Sequence, residues 1–152
     1  MEILAEFHQK IVHFPVAFLM LYPLMEFLFL ITKKDFYSKA AFLFLIVGVI
    51  GALFSALSGN QAYETFRNWQ IESLVLFNEH QNYANLTVWF FTAMLIVRFY
   101  LHLKKKLVKV FVILLLLMSL IGSYFVYQAG NYGGKLADQK AKSSIHLDNN
   151  EQ

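Results

Sequence analysis

Four apolar runs decide what this chain can fold into: residues 11–32, 40–59, 84–103 and 107–130. A helix crosses a hydrocarbon layer about 30 Å thick with about 20 residues, and each run is that long. A chain of 152 residues has too few remaining residues to cover four such helices in water. Composition points the same way. Hydrophobic residues make up 58% and charged ones 15%, against about 45–50% and about 25% in a soluble domain. The expected fold is all-α, an integral membrane four-helix bundle. Residues 1–134 form the four-span domain, and 135–152 a flexible polar C-terminal tail.

Charge sets the orientation. Lys33, Lys34 and Lys39 flank one short hairpin; Arg98, Lys104, Lys105, Lys106 and Lys109 surround the other. Lys and Arg near short loops stay cytoplasmic, so both termini and the mixed connection 60–83 are expected outside. The N-terminus is not read as a signal peptide, because Glu2 and Glu6 stand where a basic region belongs. The expected location is a bacterial inner (cytoplasmic) membrane, crossed several times, with the lipid bilayer as first partner. Clustered lysines at span ends argue for topology and against nucleic acid. No internal repeat stands out in the sequence.

The absence of cysteine excludes disulfides, thiolate metal sites, cysteine nucleophiles and covalent haem attachment. No nucleophile–base constellation, phosphate loop or nucleotide fingerprint is present, so enzymatic activity of its own is not expected. Gly48, Ala52 and Ala56, and again Gly51, Ser55 and Gly59, recur every four residues in the second span. Small residues at that interval let helix backbones approach. The stripe reads as a packing seam, and also as room for a flat cofactor.

Chemistry must then come from polar residues the bilayer tolerates poorly. The first run carries His13, Pro15, Pro23 and Glu26, with His8 just before it. At about 1.5 Å per residue, His13 lies about 30 Å from Lys33, and His80 about 27 Å from Arg98. The two imidazoles are therefore expected at one level near the outer surface, on different helices. His8 and His13, five positions apart, point about 140° away from each other on a straight helix. Paired imidazoles are the usual axial ligands of a b-type haem and also suit transition metals. A histidine at an interface can equally hydrogen-bond a carbonyl or water. Glu26, about 10 Å inside the cytoplasmic boundary, reads as a proton-relay group or as a buried acid bonded across helices.

These residues resemble a family. His8-Gln-Lys-Ile-Val-His13-Phe-Pro-Val-Ala is similar to the His-Pro-x-x-Val-His-Phe-Pro-Ile-Ala opening of small bacterial membrane proteins in domain-of-unknown-function family 2231. Glu26 falls where that family places an acid. Ser58-Gly-Asn-Gln-Ala-Tyr-Glu64, Glu79-His80 with Ala84-Asn85, and Gly130-Asn-Tyr-Gly-Gly-Lys-Leu136 resemble its later elements. Gln9 replaces the proline after the first histidine, and the tail lacks the family's last histidine. The resemblance implies a four-helix membrane bundle, supports His8, His13 and His80 as a set, and tilts function toward electron transfer.

Three readings follow. In the first, His13 and His80 bind haem b, with His8 beside them, and the protein passes electrons to a redox partner or membrane complex. In the second, His8, His13 and His80 hold copper or zinc. In the third, the chain is a structural or accessory subunit with no cofactor. A homo-oligomer is compatible with each.

Overall fold

The computed structural model describes residues 8, 10–65 and 71–150, with side chains up to 60 and over 71–139. Four helices follow one another: α1 His13–Thr32, α2 Asp35–Thr65, α3 Ile71–Leu103 and α4 Lys109–Asn150. Glu64, Arg67, Trp69 and His146 lie outside the residues whose side chains are described.

A turn of helix precedes α1, with the Val12 N–H on the His8 carbonyl at 3.1 Å. Pro15 has no N–H to offer the Ile11 carbonyl, so the chain is irregular at Val12 and the regular helix restarts at His13. Proline is tolerated in this first turn because its N–H would have no intrahelical partner. At the other end Lys33 adopts a left-handed conformation, φ 56°, and its N–H closes on the Phe29 carbonyl at 2.9 Å. Lys105 does the same after α3, at φ 50°. These two basic stops make the short turns into α2 and α4.

Each helix packs on two neighbours: α1 on α2 and α4, α3 on α4 and α2. That leaves α1 and α3 facing each other across the bundle diagonal. The core between them holds Leu19, Tyr22, Leu45, Val49, Phe91, Met94 and Val126. All four helices are long and apolar enough to cross a membrane. Only about a third of each apolar stretch is buried inside the bundle. Phe14, Phe54, Trp89 and Tyr127 are more than 60% exposed, a surface suited to lipid and not to water.

The small-residue stripe of α2 is the seat of α1. A Cβ at Gly48 would lie 2.5 Å from Leu19 Cδ2, and one at Gly51 would lie 3.2 Å from the Pro15 ring. In the second hairpin, a Cβ at Gly122 would lie 2.6 Å from Phe91 Cζ.

The spans fall where hydropathy puts them, but the helices outrun them. α3 starts at Ile71, well before residue 84, and α4 continues through the segment that hydropathy sets apart as a tail. Hydropathy changes at the membrane surface, whereas backbone hydrogen bonding does not. Glu, Gln, Lys and Ala are good helix formers on either side of it. Ser73 Oγ donates to Gln139 Oε1 at 2.9 Å, so these extensions pack on each other.

Candidate functional site

Two polar pairs are drawn from α1, the turn before it, and α3. The first is an ion pair. Arg98 Nη1 lies 2.7 Å from Glu26 Oε1, and both residues are buried, at 1% and 0% exposure. The contact is Coulombic and lacks hydrogen-bond alignment; the other guanidinium nitrogen, Nη2, donates to Ser38 O and Ser38 Oγ, both at 3.1 Å. The Tyr22 side chain, one turn before Glu26, closes over the pair and is itself fully buried. An isolated charge here would carry a large desolvation cost, and the partner and the Ser38 oxygens offset it. Arg98, which the sequence groups with the basic hairpin, is thus an interior residue. Glu26 is the buried acid bonded across helices.

The second pair lies at the far end. His8 Nδ1 is 2.8 Å from Ser58 Oγ. Ser58 spends its own proton on the Ser55 carbonyl at 3.1 Å, so its oxygen accepts and His8 Nδ1 donates. His80 Nδ1 is 2.8 Å from the Ala129 carbonyl, which can only accept. Both neutral rings therefore carry the proton on Nδ1 and a bare lone pair on Nε2. Histidines that ligate metals are held this way, their other nitrogen donating to a backbone or side-chain oxygen.

Glycines make room for both rings. A Cβ at Gly59 would lie 3.0 Å from His8 Cε1, and one at Gly133 would lie 3.0 Å from His80 Nδ1. Burial lowers the His8 pKa below the usual 6.5, the charge of His80 lowers it further, and a Ser55 backbone hydrogen bond partly offsets both.

His13 is exposed; the imidazole whose charge acts on His8 is His80. His102 is also exposed, stacked against Phe42 at 5.2 Å. With Arg98 as an inner boundary, the rise per residue puts His13 level with His80. Glu26 and Arg98 are in contact and so share a level. His8 is 18 residues from Glu26, and His80 is 18 residues from Arg98, which puts those two imidazoles level. Beside His8, an open apolar groove of about 410 Å³ runs along Ile11, Phe14, Pro15, Gly51, Phe54 and Ser58. Among the described residues no third His, Asp or Glu joins the imidazoles as a metal-binding group.

Fold and side chains together define a multi-pass membrane bundle of two helical hairpins joined across the diagonal by the Glu26–Arg98 ion pair, with one imidazole seated in each hairpin toward the other end. The chain belongs to the family described as predicted membrane protein (DUF2231), whose profile matches residues 5–143. No curated protein and no solved structure matches it.

Proposed function

We propose that the protein holds haem b through His8 and His80 at the outer end of the bundle and serves electron transfer there. The observation that carries this reading is the shared tautomer: each ring gives its Nδ1–H to an oxygen and keeps Nε2 free. Two neutral imidazoles from different helices are a donor set that fits haem iron, whose bound form supplies reversible one-electron exchange. Ser58 and the Ala129 carbonyl fix the ring orientations, Gly59 and Gly133 let the rings approach the helices, and the groove beside His8 offers an apolar wall. Low protonation of His8 keeps its lone pair available near neutral pH. In this reading His13 stands outside the ligand set, and Glu26 serves the bundle. The basic hairpins face the cytoplasm of a bacterial inner membrane, so a redox partner approaches from the other side.

The same bare Nε2 pair suits a copper ion. A closed zinc site has less support, since structural zinc takes four ligands and no group of three or more His, Asp or Glu forms among the described residues.

A visible spectrum of protein purified from haem-supplied membranes tests the proposal. A Soret band is expected, abolished in His8→Ala and in His80→Ala and retained in His13→Ala and His102→Ala. Absence of the band overturns the haem reading; stoichiometric copper in that preparation then assigns the pair to the ion. If the histidine variants alter folding yield alone, the chain is an accessory subunit.

A further inference from the structure

The two hairpins repeat each other. His8 and His80 are 72 residues apart, and the same interval joins Pro15 to Thr87, Leu19 to Phe91, Glu26 to Arg98 and Lys33 to Lys105. Members of each pair share their circumstances. Pro15, Thr87, Leu19 and Phe91 are all buried, and both lysines take the left-handed stop after the helix. In the second helix of each hairpin the interval is 74. Gly48 and Gly122 receive Leu19 and Phe91; Gly59 and Gly133 receive His8 and His80. Ser55 and Ala129, whose carbonyls lie at the imidazole seats, are also 74 apart. The two additional residues fall in the longer turn between Leu103 and Lys109. The histidine, lysine and two glycine pairs keep the same amino acid, and the other four pairs keep burial or packing partner while the residue changes.

We infer that the chain is a duplicated helical hairpin folded about a pseudo-two-fold axis, and that Glu26–Arg98 is the positioning pair that sets the level at which His8 meets His80. Equivalent residues of the two copies face each other across such an axis. Two glutamates or two arginines there would leave like charges in an apolar interior; one of each attracts. Sliding one hairpin by a helical turn, about 5.4 Å, would separate the charges where water cannot solvate them. The equal 18-residue arms carry that register to the imidazoles. The inference does not depend on which ligand, if any, the imidazoles take.

Equivalent hairpins tolerate transposition, and that is the test. Glu26→Arg and Arg98→Glu are made singly and together in the full chain. The counterpart of Ser38, 74 residues on, is the buried Val112, so Val112→Ser is added to supply an arginine at position 26 with its hydroxyl. Each single reversal is expected to cut the folded yield in detergent at least about tenfold, as unpaired buried charges do. The transposed triple variant returns within about threefold of wild type, in keeping with coupled sites. In its background, the distance between spin labels at His13→Cys and Asn82→Cys stays well within one helical turn, about 5.4 Å, of its value without the three substitutions. A triple variant no better than the single reversals overturns the equivalence of the hairpins, as do single reversals that fold like wild type. A folded triple variant in which that distance shifts by a helical turn overturns the positioning role.

Discussion

At the residue scale, His8 links protonation to folding. Burial and the His80 charge disfavour its protonated form in the folded protein, so the unfolded chain takes up the proton first as pH falls. Its contribution is therefore fully present above the usual value of 6.5 and is lost as pH drops below it toward the lowered folded pKa. The thermal transition in detergent is expected to fall between pH 7 and pH 5, and His8→Gln should flatten that slope. An unchanged slope in the variant would locate the dependence elsewhere. The sequence carries both histidines but not their roles. His13 sits in the more distinctive surroundings, between two prolines' worth of irregularity and an apolar run. What selects His8 is the turn at Val12 and the seat offered by Ser58 and Gly59, on a helix 50 residues away. Arg98 was hidden differently: six residues from a lysine cluster, it looks like an end-of-span charge until Glu26 is found against it.

At the element scale, glycines separate packing from propensity. Gly122 admits the Phe91 ring, whose Cζ would meet a new Cβ at 2.6 Å, whereas Gly130 has nothing within 4 Å. Gly122→Ala is expected to destabilise by about 1–3 kcal/mol through overpacking. Gly130→Ala should stabilise by about 0.5–1 kcal/mol, because alanine loses less backbone freedom in a helix. Thermal unfolding of the two variants measures both, and equal effects would mean that α4 does not pack on α3 at Gly122. The spans themselves were legible because twenty apolar residues in a row have few other uses. The ends of α3 and α4 were not, since polar helix formers outside the membrane carry no hydropathy period to mark them. The stripe in α2 was legible as a seam, but not its tenants: Leu19, Pro15 and His8 lie against Gly48, Gly51 and Gly59.

At the scale of the whole molecule, the bundle is polarised along its axis. Lys33, Lys34, Lys39, Lys104, Lys105, Lys106 and Lys109 gather at the hairpin turns, with Asp35 among them, while the imidazole pair lies at the opposite end. A cytoplasmic leaflet rich in anionic lipid attracts such lysines by about 1 kcal/mol each. Under the proposed orientation, that preference directs the imidazoles outward. The chain has no cysteine, so single introduced thiols report position without background. Asn82→Cys and Lys135→Cys, both exposed near the imidazole end, should react with an impermeant maleimide in intact cells or spheroplasts. Lys34→Cys and Lys106→Cys should react only after the membrane is opened. The reverse pattern would turn the imidazoles toward the cytoplasm and overturn the proposed orientation.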